Sequence, residues 1–131
     1  MPFLLDTPTL AETLRASPSR ELVRRLTSVP TGERWTSVLT VGQLLAAARR
    51  AADPRLMQDV LRLVAAVRVA AFDLPAAQAF AKLRSGSSPD LPVEDVATAA
   101  IASAHKLVLV TRRPEAFTSF AQLRVEDWTA G

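Results

Sequence analysis

The side chains in this sequence that can take part in chemistry are chiefly carboxylates and arginines. Asp6 comes directly after the apolar run FLL, and Arg112 and Arg113 come directly after the run LVLVT. A carboxylate at such a position can cap the helix that follows, and an arginine can form bidentate contacts with a phosphate group. The chain has fourteen arginines and two lysines. These residue types allow a nucleic-acid partner, although a general bias toward arginine and alanine accounts for them equally well.

Several other kinds of site are excluded by composition. The sequence has no cysteine, which excludes disulfides and thiolate metal sites. His105 is the single histidine, so one chain cannot build a multi-histidine zinc site. A Ser-His-Asp hydrolase would have to use His105, but the sequence has no nucleophile elbow of the G-x-S-x-G type. We therefore expect His105 to be structural or solvated.

The overall composition is that of an ordinary globular protein. The 131 residues are 49% hydrophobic and 22% charged, with a net charge of +3, and this length suits one domain spanning residues 1–131. No apolar run approaches the roughly 18 residues that a membrane span requires. The amino terminus lacks the basic region and cleavage site of a signal peptide. We expect no membrane partner and a cytoplasmic location.

Short apolar runs alternate with longer segments of helical period along the chain. We predict a first helix from a capping box at Thr9 and Glu12, a second after Ser17, and a third capped by Thr40. Three further helices are predicted at 54–67, 74–84 and 93–105. The predicted strands are 3–5, 34–39, 67–72, 107–111 and an edge strand at 122–128. This alternation predicts an α/β fold with three α/β/α layers, in which helices cover both faces of a mostly parallel sheet of four to five strands.

The carboxyl ends of the strands in such a fold form one rim, where ligands bind. Asp6 ends the first strand, and Arg112 and Arg113 follow the fourth. Gln43 lies one turn into the helix after the second strand, and Asp95 lies in the first turn of the helix that enters the fourth. We expect these side chains to converge on one cleft.

Five stretches of the chain, in order, resemble the PIN domain and, within it, the VapC-type toxins of bacterial toxin–antitoxin pairs. FLLDTPTL is similar to an apolar strand followed by D-T-N-x-L, and TSVLTVGQLLAAARR is similar to T-S-x-x-T-x-x-E-L-x-x-G-A-R-R. The stretches FDLPAAQAFAKLR, DVATAAIASAHKLVLVTRRPEAF and LRVEDW also match the family pattern. No single motif is unique to the family, but together the five cover nearly the whole chain.

The resemblance implies a nuclease site in which clustered acids hold one or two Mg²⁺ or Mn²⁺ ions against an RNA phosphodiester. Hard divalent ions prefer carboxylate oxygens, and such ions generate a hydroxide nucleophile and stabilise charge on the reacting oxygens. By the family pattern, Asp6 and Asp95 are catalytic residues and metal ligands, and Gln43 stands where the family has a catalytic glutamate. The resemblance also implies a homodimer and an antitoxin-like protein partner.

The chain departs from the family pattern at several of these positions. Gln43 is neutral, Arg113 stands where the family has Asn or Asp, and Ala116 replaces an acid that many members have. Pro8 replaces the asparagine of D-T-N, and Ala47 replaces a glycine. Two carboxylates remain where the family usually has three or four, so we predict a depleted site with weak or no nuclease activity. The acids that could replace the missing ligands are Glu12, Asp90, Glu94 and Glu115.

A non-catalytic role on the same fold is the alternative. In a nucleic-acid-binding module, Arg112 and Arg113 would bind RNA or DNA phosphates with an affinity that falls steeply with salt. In a protein-interaction module, the apolar face of the helix that begins at Pro54 would contact a partner. Trp35 and Trp128 are expected to be packing residues rather than platforms for base stacking.

Overall fold

The computed structural model describes residues 2–130, so the predicted domain of residues 1–131 extends one residue beyond each end of the described part. Within residues 2–130 the chain forms five strands and six α-helices. The strands are β1 Phe3–Leu5, β2 Arg34–Ser37, β3 Arg68–Ala70, β4 Val108–Val110 and β5 Val125–Glu126. The helices are α1 Thr7–Glu12, α2 Arg20–Ser28, α3 Val38–Ala51, α4 Pro54–Ala65, α5 Leu74–Ser85 and α6 Val93–Ala104. Short 3₁₀ turns lie at Thr31–Glu33 and Pro114–Phe117.

The sheet has the order β3-β2-β1-β4-β5, and its pairings within residues 2–130 are all parallel. β1 is central, with Leu4 beside Trp35 of β2 on one side and Leu109 of β4 on the other. The chain therefore runs outward from β1 to β3 and then returns to β4. This reversal makes the carboxyl ends of β1 and β4 the switch point of the sheet. The predicted three-layer α/β/α architecture is confirmed.

Helices cover both faces of the sheet because successive residues of a strand point to opposite faces. Leu4 packs in a core with Val96 and Ile101 of α6. Leu5 packs in a second core with Val60 of α4. These five side chains are at most 1% exposed, and burial of each stabilises the fold by about 1.5–3 kcal/mol. The sheet is therefore held between two helical layers, and the strand ends remain free to carry a site.

The first helix begins earlier than the capping box predicted. Its N-cap is Asp6, whose Oδ1 accepts a hydrogen bond from the backbone N–H of Thr9 at 3.1 Å. Pro8 lies in the first turn, where an N–H has no helical partner and its absence costs nothing. The prediction that Thr9 caps this helix and that Glu12 bonds back to it is wrong. The carboxylate at the strand end satisfies the free N–H group of Thr9 instead.

Two other helix starts are also misplaced in the sequence prediction. Ser19 rather than Ser17 caps α2, and Ser37 rather than Thr40 caps α3 by accepting the Thr40 N–H at 3.1 Å. β2 therefore ends at Ser37, two residues before its predicted end. β3 and β5 are likewise shorter than predicted. Within residues 2–130 no helix is both long and apolar enough to cross a lipid bilayer.

Candidate active-site cleft

A cleft of about 450 Å³ opens at the carboxyl ends of β1 and β4. Four of the side chains that the sequence predicted to converge line it together: Asp6, Gln43, Asp95 and Arg113. The other residues that line it are Thr7, Pro8, Ala11, Leu44, Ala47, Arg50, Glu94, Thr98 and Phe117. The switch point of the sheet thus gathers groups from α1, α3, α6 and the end of β4.

Asp6 both caps α1 and carries a charge into the cleft. The residue is only 5% exposed. Burial raises the pKa of the Asp6 carboxyl above its ordinary value, although hydrogen bonds from Thr111 and Thr9 and the charge of Arg113 act to lower it. In its ionised form Asp6 is therefore a negative charge that the surrounding structure stabilises less well than water does.

Asp95 and Arg113 form an ion pair in the cleft. Nη2 of Arg113 lies 2.9 Å from Oδ1 of Asp95, and this hydrogen bond raises the pKa of Arg113. The backbone N–H of Arg113 donates to Oγ1 of Thr111 at 3.1 Å, which positions the residue at the end of β4. The second oxygen of Asp95, Oδ2, is buried and has no hydrogen-bond partner within residues 2–130. Asp95 therefore has one neutralised oxygen and one unsatisfied oxygen.

Gln43 joins α1 to α6 through its side-chain amide. Its Oε1 accepts a short hydrogen bond from the hydroxyl of Thr7, and its Nε2 donates to Oε2 of Glu94 at 2.6 Å. The Thr7 hydroxyl also lies 2.9 Å from Oγ1 of Thr40. Because the amide nitrogen faces Glu94, a carboxylate at position 43 would meet a second carboxylate there. Among the described acids that could replace a missing ligand, Glu94 alone lines the cleft, and the others do not: Glu12, Asp90 and Glu115.

Arg112 is held by Glu12 rather than directed into the cleft. Oε1 of Glu12 accepts hydrogen bonds from Arg112 at 3.1 Å and Arg15 at 3.2 Å, and its Oε2 accepts the Ser19 N–H at 2.9 Å. Desolvation acts to raise the pKa of Glu12, but the hydrogen bonds from Arg15 and Ser19 and the charges of Arg15 and Arg112 outweigh it, so the pKa lies below its ordinary value. Glu12 thus ties α1, α2 and the end of β4 together.

The donor set of the cleft does not fit a divalent metal ion as it stands. Within residues 2–130 no three His, Cys, Asp or Glu side chains are grouped so that they could hold one. Asp6 and Asp95 share the cleft, and the unsatisfied Oδ2 of Asp95 is a free donor atom. However, Arg113 already neutralises Asp95, and Gln43 offers a neutral oxygen in place of a carboxylate. A hard dication prefers several charged oxygens, so the site is weak for Mg²⁺ or Mn²⁺.

Arg50 and Thr7 are among the cleft residues that the sequence reasoning did not place there. Gln43, Ala47 and Arg50 are spaced by four and three residues, a spacing that places all three on one face of α3. The helical period was therefore a sufficient signal for Arg50. Thr7 matches the threonine of the D-T-N-x-L pattern, so the resemblance was a signal for it, although its hydrogen bond to Gln43 forms only because α1 packs against α3.

Replacing Asp6 with Asn should make the metal-free protein more stable at neutral pH. Asn caps a helix about as well as Asp, and the change removes a buried charge whose pKa is raised by burial. For an acid with a raised folded-state pKa, ionisation costs stability. Wild-type stability should therefore fall as the pH rises above 3.8, the ordinary value, and through the folded-state pKa. The variant should lack this loss, as thermal melts in EDTA from acidic to neutral pH would reveal.

The matched control is Asp53→Asn at the N-cap of α4. Asp53 is exposed and its Oδ1 accepts the Arg55 N–H at 3.0 Å, so the same chemical change there removes no buried charge. An equal or larger stabilisation from Asp53→Asn would contradict the assignment of the effect to burial of Asp6.

Comparison with known proteins places this cleft in a family. The chain matches the PIN domain over residues 3–121. It is 32% identical over 126 residues to Toxin FitB of Neisseria gonorrhoeae (strain ATCC 700825 / FA 1090), a match that covers 88% of this chain and 90% of that protein. The crystal structure of FitAcB from Neisseria gonorrhoeae is similar with a TM-score of 0.81 and 27% identity, over 95% of this chain and 96% of that chain.

A second solved structure, DNA-bound VapBC from Salmonella typhimurium, is similar with a TM-score of 0.83 and 25% identity over 98% of both chains. VapBC-1 from nontypeable Haemophilus influenzae shares the fold with a TM-score of 0.85 at 20% identity, over 99% of this chain and 100% of that chain. The match over residues 3–121 and the 32% identity to a curated toxin are sufficient to assign the family. This chain belongs to the PIN-domain family, among its VapC/FitB-type toxins.

Proposed function

We propose that this protein is a toxin-type PIN protein that binds RNA in its cleft but cleaves it weakly or not at all. The observation that carries the proposal is the ion pair of Arg113 and Asp95 at 2.9 Å. A guanidinium occupies one of the two carboxylates that the family pattern assigns to the metal. Gln43, where the family has a glutamate, adds no charge to replace it.

The added guanidinium of Arg113 and the neutral amide of Gln43 both weaken the binding of a dication. A unit charge about 4 Å from another is worth roughly 4 kcal/mol at an effective dielectric near 20. Arg113 is 47% exposed, so solvent screens part of its effect. Even after that reduction, one lost negative charge and one added positive charge strongly disfavour Mg²⁺ or Mn²⁺.

Without a well-held dication, the cleft is better equipped to bind a phosphodiester than to hydrolyse it. Arg50 and Arg113 provide cations beside the carboxyl groups of Asp6, Glu94 and Asp95. Arg113 is paired with Asp95, which leaves Arg50 as the cleft arginine without an ion-pair partner within residues 2–130. His105, the one histidine, lies at the end of α6, where its Nε2 contacts the carbonyl oxygen of Ala71 at 3.2 Å and Oδ2 of Asp73 at 3.3 Å. It therefore supplies no general acid or base to the cleft.

An antitoxin-like partner and a homodimer also belong to this proposal. Similarity to FitAcB and VapBC supports a partner protein. An apolar groove of about 220 Å³ adjoins the cleft, and it is lined largely by the side chains of Leu14, Leu44, Leu56 and Val60. The groove suits the apolar face of a partner helix. Light scattering of the purified protein should report a dimer, and a monomer would contradict that part of the proposal.

The proposed function can be tested by combining a cleavage assay with a binding assay. Purified protein incubated with structured RNAs and Mn²⁺ should produce little or no cleavage above that of Asp6→Ala. The same protein in EDTA should bind single-stranded RNA with an affinity that falls steeply as salt increases, because phosphate contacts release counterions.

The two assays can fail separately. Robust cleavage that Asp6→Ala abolishes would overturn the proposal that the acidic site is depleted. Absent binding, or binding that does not change with salt, would overturn the proposal that the cleft binds RNA.

A further inference from the structure

The arginines of the rim differ in whether they are free to bind a ligand. Arg112 pairs with Glu12 at 3.1 Å, and Arg113 pairs with Asp95 at 2.9 Å. Arg50 also lines the cleft and is exposed. Within residues 2–130 no carboxylate forms an ion pair with it. Arg50 is therefore the described arginine of the cleft whose charge is not compensated by a protein acid.

The position of Arg50 on α3 places it to one side of the cleft acids, where it can contact a ligand group that neighbours the one bound at those acids. Gln43, Ala47 and Arg50 all line the cleft from one face of the helix. Seven residues separate Gln43 from Arg50, which corresponds to about 10 Å along the helix axis. A polymer that lies along this face would place one group near the acids and a neighbouring group near Arg50.

We propose that Arg50 binds a backbone phosphate of RNA next to the acidic centre of the cleft. The inference rests on the proposed function and assigns one of its phosphate contacts. Guanidinium forms bidentate hydrogen bonds with phosphate oxygens. An acidic peptide carries carboxylates that the exposed Glu94 would repel, whereas RNA can place a phosphate at Arg50 and a base amino group, which donates hydrogen bonds, near Glu94. One arginine without an ion-pair partner within residues 2–130, in the same cleft as an exposed carboxylate, therefore favours RNA over an acidic peptide.

Arg49 provides a matched control for this residue. It precedes Arg50 on the same helix, is also exposed, and is not among the residues that line the cleft. Arg50→Ala and Arg49→Ala remove the same charge from the same turn of α3. Any difference between them reports position, because long-range electrostatics and the helix dipole change equally in both.

The experiment is fluorescence anisotropy with a labelled single-stranded RNA in EDTA, at salt concentrations from about 50 to 200 mM. Arg50→Ala should bind roughly tenfold more weakly than wild type, as expected for loss of a charge-assisted hydrogen bond. Its slope of log affinity against log salt should fall by about 0.7, the value for one phosphate contact on a single strand. Arg49→Ala should remain within about twofold of wild type, and Arg50→Lys should keep the slope but lose part of the affinity.

The possible results separate failure of the Arg50 inference from failure of the proposed RNA-binding function. Equal effects of Arg50→Ala and Arg49→Ala on a wild type that binds RNA would overturn the inference alone. No RNA binding by the wild type, even at low salt, would overturn the proposed RNA-binding function and this inference with it. Binding of poly-glutamate as tightly as RNA, and its loss in Arg50→Ala, would assign the residue to an acidic peptide and overturn the RNA contact.

Discussion

Replacing Gln43 with Glu and Arg113 with Asn in one protein should raise its affinity for Mn²⁺ by one to two orders of magnitude. The double change adds one carboxylate to the cleft and removes the guanidinium that neutralises Asp95 at 2.9 Å. Oδ1 of Asp95 is then freed, and its Oδ2 already has no hydrogen-bond partner within residues 2–130. Manganese binding measured by calorimetry, and cleavage of structured RNA in Mn²⁺, should both increase over wild type.

The size of this gain follows from two opposing effects. Each unit of charge about 4 Å from a dication contributes several kcal/mol at an effective dielectric near 20. That contribution alone would raise the affinity for Mn²⁺ by more than about a hundredfold. Against this, a glutamate at position 43 meets Glu94, because the amide nitrogen that it replaces lies 2.6 Å from Oε2 of Glu94. Like-charge repulsion raises the pKa of such pairs. The metal must first relieve that repulsion, so the net gain is smaller than the sum.

The single variants provide the controls. Arg113→Asn alone should free Asp95 without adding a carboxylate. Gln43→Glu alone should add a carboxylate but leave the Arg113 cation in place. Each single variant should therefore gain less Mn²⁺ affinity than the double variant. Adding Asp6→Ala to the double variant should abolish both Mn²⁺ binding and cleavage. If the double variant binds Mn²⁺ no better than wild type, charge at positions 43 and 113 is not what weakens the site.

The architecture was accessible from the sequence because it depends on patterns that repeat along the chain. Apolar runs alternate with helical segments, and the crossover rule then leaves parallel strands with helices on both faces. Adjacent residues of a buried strand serve opposite cores, as Leu4 and Leu5 do. The convergence of Asp6, Gln43 and Asp95 follows from the same topology, since strand ends in a parallel sheet share one rim.

Helix starts were less accessible, since several residues in each loop can serve as a cap. Thr9 and Thr40 have the residue types of good N-caps. In the structure Asp6 and Ser37 take those roles, and the backbone N–H groups of Thr9 and Thr40 are the donors they accept from. The choice depends on where each strand stops pairing with its neighbour, which is a tertiary property.

The pairings within the cleft could not be predicted for a similar reason. Arg113 contacts Asp95, and Gln43 contacts Glu94, only because α6 packs with its first turn beside the ends of β1 and β4. Side-chain direction across such a gap depends on rotamers and interaxial packing rather than on spacing in the chain. Sequence reasoning placed Asp6, Gln43, Asp95 and Arg113 in the cleft. It wrongly placed Arg112 there, which pairs with Glu12 instead, and it left open which side chains neutralise one another.

Replacing Trp128 with Ala should lower the free energy of unfolding by about 3–5 kcal/mol, the usual cost of removing a buried aromatic side chain. Trp128 is 1% exposed, and its ring centroid lies 5.0 Å from that of Phe3 on β1. The guanidinium of Arg25 on α2 stacks over the Trp128 ring, 5.1 Å from its centroid. Nε1 of Trp128 donates to Oε1 of Glu126 at 3.0 Å. One side chain near the end of the chain therefore joins β5 and α2 to the central strand. Urea denaturation followed by far-UV circular dichroism measures the loss.

Two conservative variants separate the ring of Trp128 from its hydrogen bond. Trp128→Phe keeps most of the apolar contact but leaves Glu126 without that donor, so it should cost about 1 kcal/mol more than loss of ring area alone. Trp35→Phe is the matched change, because the buried Nε1 of Trp35 has no hydrogen-bond partner within residues 2–130. Removing an unsatisfied donor relieves a desolvation penalty, so Trp35→Phe should be nearly neutral. A cost below about 1 kcal/mol for Trp128→Ala would mean that β5 adds little to the core, since core truncations of this size cost several-fold more.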